Sequence, residues 1–163
     1  TVPAGNTISN TGAETAFASS YTIPANTLSV GDVIRVKAWG VYGTTLVAPT
    51  FVGRVRLGGV AGTQMVTTGT ITSAAGATNA GWKAEIDMVV QAIGASGSIE
   101  AQSFLSFASA ATVALAIHGK NTAAITVNTT QNQEIVITAT WGAADAENTV
   151  TLRIMTVEIL KKV

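Results

Sequence analysis

The sequence predicts an all-β protein, an antiparallel sandwich or barrel of about eight to ten short strands. Several segments alternate apolar and polar side chains with a period of two, as half-buried strands do. Turn-forming Gly, Pro and Asn residues separate these segments, and no amphipathic helical pattern of about ten residues lies between them. A parallel sheet is disfavoured, because its crossover connections need helices.

The first strand-like segments lie in the N-terminal third of the chain. Within residues 32–39, apolar side chains at even positions alternate with Arg35 and Lys37. Residues 51–57 show the same period. Both segments are rich in Val, and the whole chain is rich in Thr and Val, whose branching at Cβ favours pleated, half-buried surfaces.

The strongest alternation lies in the middle of the chain, at residues 82–92. The side that we expect in the core contains Trp82, Ile86 and Val90. Residues 94–97 (GASG) predict a tight connection to a second segment of the same period, residues 99–107. Two long antiparallel strands are therefore expected here.

Two segments have less regular patterns. Residues 104–117 are Ala-rich, but Ser, Thr and Val interrupt a helical pattern, and we interpret the segment as two strands that meet near residues 108–111. Residues 69–81, dominated by Thr, Ser, Ala and Gly, are interpreted as a long flexible loop.

The last two segments contain more of the expected core and an apolar surface. Residues 133–141 alternate, with Ile137 and Trp141 on the expected core side. Residues 149–160 are apolar on both faces: one has Leu152, Ile154 and Leu160, the other Met155, Val157 and Ile159. A sandwich strand has one core face and one solvent face, so the second apolar face needs a cover. We expect a further subunit to cover Met155, Val157 and Ile159.

The length of 163 residues suits one domain, which we place at residues 13–163. Residues 1–12 are polar and short of turns, and we interpret them as an N-terminal arm that could cross a neighbouring subunit and cover that face instead. Both interpretations place the chain in an assembly.

Charge and apolar content exclude two classes of partner. Nine Lys and Arg balance nine Asp and Glu, so the basic excess typical of nucleic-acid binding is missing. No apolar run reaches the length of about 18 residues that a transmembrane helix needs. With no Cys, thiolate chemistry and thiolate metal sites are also excluded. We therefore expect neither a nucleic-acid nor a membrane partner.

Candidate catalytic residues are few. His118 is the single His, and neither a nucleophile relay nor a His-based metal site is normally built from one imidazole. Glu85 and Asp87 lie two apart on the polar side of one strand, so their carboxylates could approach the spacing found in glycosidases. The alternating Lys83 indicates instead a solvated charged stripe, which is the interpretation we favour.

Two further polar groups could bind ions. Asp145, Glu147 and Asn148 could offer oxygen ligands to a cation such as Ca²⁺, but the Gly and the spacing of a calcium loop are missing. Arg54 and Arg56 share a strand face and could meet an anion, although an acidic neighbour across the sheet is the commoner partner. We predict no catalytic residue, no metal site and no cofactor.

Aromatic residues keep one binding function open. Trp39 and Tyr42 lie near a strand end, where exposed rings could stack on a sugar. Glycan binding therefore stays an alternative.

Five stretches, spread over most of the chain, carry a family resemblance: YTIPANTL at residues 21–28, GDVIRVKAWG at 31–40, RVRLGG at 54–59, WKAEI at 82–86, and residues 148–160. Together they resemble small jelly-roll structural proteins of tailed-bacteriophage virions. They are strand and turn patterns rather than catalytic motifs. The resemblance implies a TNF-like jelly roll that forms a homotrimer, placed on the head surface as a decoration or cement protein, or on a tail fibre.

The resemblance also implies partners and a location. On the capsid surface of the virion, the partners would be further copies of the chain and the major capsid protein. Thr1, Val2 and Ile8 of the expected arm would then attach the protein to the shell. We expect a non-enzymatic cement protein. The alternative is a trimeric tail-fibre or receptor-binding module that presents residues 69–81 to a host glycan, and a glycan hydrolase using Glu85 and Asp87 is third.

Overall fold

Two antiparallel β-sheets packed face to face make up the protein in the computed structural model, which describes residues 3–108, 114–120 and 123–162. The strands are β1 (Thr7–Ser9), β2 (Thr15–Ile23), β3 (Val33–Gly43), β4 (Thr50–Leu57), β5 (Thr63–Thr67), β6 (Ile71–Thr72), β7 (Ala80–Ala92), β8 (Ser98–Ala108), β9 (Ala114–Lys120), β10 (Ile125–Thr126), β11 (Gln133–Trp141) and β12 (Thr149–Leu160). The predicted all-β class is confirmed.

The chain crosses between the two sheets at each step from β1 to β4 and again from β10 to β12, in a jelly-roll-like arrangement. The larger sheet has the order β1-β12-β3-β7-β8, with β9 and β10 both pairing with β8. The smaller sheet has the order β2-β11-β4-β5, with β6 beside β4. The two sheets contact each other at both ends of the layer, where β12 and β1 pack against β2, and β8 and β9 pack against β5, in a jelly-roll-like sandwich. The β8–β9 hairpin widens the larger sheet beyond β7.

The core fills the space between the two sheets, and every predicted core residue lies in it. Their side chains are at most 7% exposed: Trp82, Ile86, Val90, Ile137 and Trp141. The ring of Phe51 packs edge-on against Phe107 and Trp141, with centroids 5.1 Å apart in both pairs. The period-two pattern was therefore a reliable guide to the side of the strand that is buried.

The predicted connections around β8 agree with the structure. The N–H of Gly97 donates to the carbonyl of Gly94 over 3.1 Å, which closes the tight turn between β7 and β8. β8 ends at Ala108 and β9 begins at Ala114, so the interpretation of residues 104–117 as two strands is confirmed. The connection between them lies outside the described residues.

Residues 69–81 are largely a connection between strands, as expected, but part of the segment packs into the fold. The segment contains β6, and its Ser73 and Ala77 are buried. The backbone N–H and the hydroxyl of Ser73 both donate to the carbonyl of Pro49, over 3.0 and 2.8 Å. The small side chains of this segment let it pack closely against the β3–β4 connection. The same small side chains had led to the prediction of a flexible loop.

The N-terminal segment also differs from the expected free arm. Thr1 and Val2 lie outside the described residues, but β1 pairs with β12, and the side chain of Ile8 is buried in the core. Asn6 is buried as well, and its amide exchanges hydrogen bonds with Ser19 on β2. Ile8 is therefore a core residue and is not available to bind a shell, because its apolar side chain points between the sheets.

Candidate functional site

The last strand changes faces in its middle. Leu152 pairs with Gly40 on β3 and Ile154 pairs with Trp39, so Arg153 is an extra residue, a β-bulge. One additional residue moves every later side chain to the opposite face. Leu152 is fully buried, whereas Ile154 is 46% exposed.

The expectation that Met155, Val157 and Ile159 form an outer apolar face is therefore wrong, while their contact with another subunit stays a prediction. All three side chains are half-buried and pack against the core. The prediction continued the alternation from Leu152 without interruption, and apolar residues on both faces hid the bulge. The apolar side chains on the outer face are instead Ile154 and Leu160, which is 40% exposed.

Charged residues form a stripe across the outer face of the larger sheet. Lys83 Nζ lies 2.7 Å from Glu85 Oε1, and Arg35 Nε lies 2.8 Å from Asp87 Oδ1. The hydrogen bond from Lys83 lowers the pKa of Glu85, which opposes the raised pKa that a catalytic acid needs. Glu85 and Asp87 therefore belong to a solvated charged stripe, as predicted from the alternating Lys83.

Apolar side chains lie at both ends of this stripe. Trp39, 49% exposed, is the cross-strand neighbour of Ile154, and Val33 is the neighbour of Leu160. Tyr42 is buried, contrary to the expectation that it could be exposed, and its hydroxyl donates to the carbonyl of Ala108 over 2.7 Å. Of the two rings considered for stacking on a sugar, only Trp39 is exposed.

On the outer face of the smaller sheet, Glu14 neutralises the two arginines that were considered as an anion site. Its carboxylate lies 2.6 Å from Arg56 Nε and 3.5 Å from Arg54 Nη1. Thr138 also donates its hydroxyl to Glu14 Oε1 over 2.6 Å. The bond from Arg56 is the main reason that the pKa of Glu14 falls to about 2. An acidic partner was expected, but Glu14 was not identified, although it is the first acidic residue in the sequence.

We expect Glu14 to make stability depend on pH at the acid end. Because its pKa is about 2 in the folded protein and 4.5 for an ordinary Glu side chain, its contribution to stability is complete above pH 4.5 and is lost as the pH falls towards 2. Since the group is partly exposed and screened, we expect a loss of about 2 kcal/mol. Urea unfolding of the wild type and of Glu14→Gln across this range measures it. Equal pH slopes in the two proteins would contradict the assignment.

One end of the sandwich presents an apolar tip. Leu46 and Val47, in the β3–β4 connection, are 87% and 80% exposed. The backbone beneath them is held firmly: Thr44 Oγ1 donates to the carbonyl of Ala74 over 2.6 Å, and the Thr45 N–H donates to the side chain of Asn148 over 3.2 Å. We call Leu46 and Val47 the apolar tip. The sequence pattern did not predict this tip, and its signal in the sequence is two adjacent aliphatic residues in a connection between strands.

The possible cation ligands belong to the loop structure at this same end. Asp145 Oδ1 accepts the N–H of Glu147 over 2.8 Å, and Asn148 is buried beneath the β3–β4 connection. The described residues contain no cluster of three or more His, Asp or Glu side chains that could hold a metal ion. His118 lies on β9, opposite Phe104 on β8.

A cavity of about 50 Å³ lies between the sheets, with Phe17, Phe51 and Trp82 in its wall. A cavity that binds one benzene ring measures about 150 Å³, so this space is too small for a sugar or a cofactor. We attribute it to imperfect packing of the large rings.

Within the described part of the chain, no helix is long and apolar enough to cross a membrane. Comparison of the chain with known proteins gave no matching protein family, no similar curated protein and no similar solved structure. A functional assignment must therefore be argued from the surfaces described above and from the resemblance in the sequence.

Proposed function

We propose that this protein is a non-enzymatic virion structural protein that decorates the outer surface of a tailed-bacteriophage head and stabilises the shell. The observation that carries the proposal is the apolar tip, two aliphatic side chains exposed to water on a firmly bonded loop. The placement on a phage head comes from the resemblance of the five sequence stretches, which also implies a homotrimer.

The rigidity of the tip favours a binding role. Exposed aliphatic side chains normally belong to scattered single positions, whereas Leu46 and Val47 are adjacent and almost fully exposed. Because Thr44 and Thr45 already fix the backbone, binding would order little additional chain and would lose little entropy. The tip therefore replaces the N-terminal arm as the expected attachment to the major capsid protein.

The charged side chains described above support a structural rather than a catalytic role. Glu85, Asp87 and Glu14 each bind a Lys or Arg of the same chain. For Glu85 and Glu14 the adjacent cation lowers the pKa, so these two carboxylates are poor proton donors at neutral pH. A surface of internally neutralised charges suits a protein that covers a shell.

The test uses heads of the phage that encodes this chain, prepared without the protein. We expect the purified protein to bind them at a fixed stoichiometry and to raise the temperature at which they rupture. The double variant Leu46→Asp/Val47→Asp should fold normally but bind at least about 100-fold more weakly, since two buried apolar contacts would become buried charges. Sedimentation with the heads measures both proteins.

The matched control is Val30→Asp, because Val30 is 49% exposed and precedes β3, at the opposite end of the sheet. It should bind heads as the wild type does. Absence of binding to heads, together with attachment to host cells, would replace the proposal with the receptor-binding alternative.

A further inference from the structure

The second half of β12 has an open edge. β1 pairs with β12 only at residues 149–151, and the last bond on this side runs from the N–H of Leu152 to the carbonyl of Asn6 over 2.8 Å. Beyond the bulge at Arg153, β12 pairs with β3 on its other side only. No described residue hydrogen-bonds to the outer edge of residues 154–160.

This open edge lacks the features that normally prevent strands from pairing between molecules. Residues 154–160 (IMTVEIL) contain no Gly, Pro or Lys, and Glu158 is their only charged residue. Two other edge strands of the described structure are shorter, β5 with five residues and β10 with two, whereas β9 has seven residues and ends in Lys120. The edge of β2 is partly covered, because Gly5 and Asn6 hydrogen-bond to it.

We propose that a second copy of this chain pairs with this edge, with the two β12 strands antiparallel about a two-fold axis at Val157. The larger sheets of the two copies would then form one continuous sheet. The inference rests on the proposed function only in requiring that the protein associates with itself. It agrees with the implied homotrimer only as a pair of trimers, because a two-fold axis relates an even number of chains.

The geometry of β12 selects the register. In an antiparallel pair, directly opposite residues point to the same face of the sheet, so core-side residues must lie opposite core-side residues. This condition is met only if the two-fold axis passes through a residue, because an axis between two residues would place core-side residues opposite outward-facing ones. An axis at Thr156 would place Leu160 opposite Leu152 of the other copy, where Asn6 already lies. An axis at Glu158 would put two carboxylates side by side and leave only residues 156–160 paired. The axis at Val157 pairs residues 154–160 in full, and backbone bonds on alternate residues give about six hydrogen bonds.

In this register the side chains match on both faces. On the core side, Met155 meets Ile159 and Val157 meets Val157. These three residues are only half-buried in the single chain, so the pairing would cover them further. On the outer face, Ile154 meets Leu160, and the exposed apolar patches at opposite ends of the charged stripe become neighbours across the axis.

The charges are also compatible with a second copy. Glu158 is the cross-strand neighbour of Arg35 within its own chain. Across the axis it would lie opposite Thr156 of the second copy, and the cross-strand neighbour of that Thr156 on β3 is Lys37. The carboxylate would therefore lie between two cations. Lys161 would come near Arg153, but its ammonium already lies 2.7 Å from the buried carboxylate of Asp32. The contact with Asp32 also turns the chain away from the edge after Leu160.

Mass measurement tests the symmetry of the assembly. Sedimentation equilibrium of the purified protein should give twice the 16.5 kDa of the chain, or a larger even multiple. A monomer over the whole concentration range, or a trimer without pairs, would overturn the pairing. The trimer would still agree with the proposed function, which is tested separately by binding to heads.

Charge exchange tests the register. The double variant Ile154→Lys/Leu160→Lys should dissociate at least about 100-fold more readily, because Lys would face Lys twice across the axis. Ile154→Lys/Leu160→Glu should restore much of the association, since each Lys would face a Glu of the other copy. The two positions are about 20 Å apart along one strand, so they cannot pair within a chain.

The matched control is Val60→Lys, because Val60 is 46% exposed, as Ile154 is, but lies between β4 and β5. It should leave the mass unchanged. Circular dichroism must show that every variant is folded. The proposed register would be overturned if the variant Ile154→Lys/Leu160→Glu were folded but had the same dissociation constant as Ile154→Lys/Leu160→Lys.

Discussion

Replacing Trp82 with alanine is expected to lower the free energy of unfolding by about 3 to 5 kcal/mol. The side chain is 6% exposed, and its ring stacks on Phe17 with centroids 6.3 Å apart. Its Nε1 also donates to the carbonyl of Thr151 on β12 over 3.1 Å. The substitution would therefore leave a cavity between the sheets and remove one hydrogen bond to the carbonyl of Thr151. Urea unfolding measures the change, and a difference below about 1 kcal/mol would contradict it.

Two conservative variants separate the hydrogen bond from the packing. Trp82→Phe removes the donor to Thr151, whereas Trp141→Phe removes an Nε1 that has no hydrogen-bond acceptor among the described residues. Both replacements delete a similar volume from a buried position. We expect Trp82→Phe to cost about 1 kcal/mol more than Trp141→Phe, the typical net contribution of one such bond. Equal costs would show that the bond to Thr151 contributes nothing.

The core could be predicted from the sequence wherever a strand is regular and one of its faces is polar. In β7, Lys83, Glu85 and Asp87 identify the solvent side, and β3 pairs with it without a register shift. Trp82, Ile86 and Val90 follow directly from that alternation. The pattern failed in β12, because both faces are apolar and the period cannot reveal an inserted residue.

The position of the bulge depends on residues that are distant in sequence. Arg153 is extra because Leu152 and Ile154 meet consecutive residues of β3, Gly40 and Trp39. Nothing in residues 149–160 alone indicates that pairing. Met155, Val157 and Ile159 were therefore assigned to the outer face, although they pack towards the core. The expectation that this strand is too apolar for a single chain still motivates the proposed pairing.

The surface features were harder to predict than the core. The Glu14 carboxylate meets Arg54 and Arg56 only because β2 and β4 lie on either side of β11 in one sheet. The sequence indicated that the arginines needed an acid but not which one. The apolar tip was missed because exposure of Leu46 and Val47 depends on the loops below them. Hydrophobic patterning assumes that aliphatic residues are buried.

Gly40 connects the core with the bulge, and its replacement by alanine is expected to cost about 3 to 4 kcal/mol. A Cβ at this position would overlap the carbonyl oxygen of Thr151 and approach Nε1 of Trp82 to 2.8 Å. These two atoms form the hydrogen bond between β7 and β12. The added methyl group must therefore separate β12 from β3 or displace the indole, because rigid backbone cannot yield as a flexible side chain does.

The matched control is Gly81→Ala on the adjacent strand β7. Gly81 pairs with Val41 on the same sheet, but a Cβ there would meet no atom within 4 Å. We expect Gly81→Ala to change stability by less than about 1 kcal/mol, and to be neutral or stabilising, since alanine restricts the unfolded chain. A similar loss in both variants would mean that general strand propensity, rather than the close approach of β12, explains Gly40. Because the pairing proposed above uses the strand beyond this point, Gly40→Ala should also weaken association of the protein that remains folded.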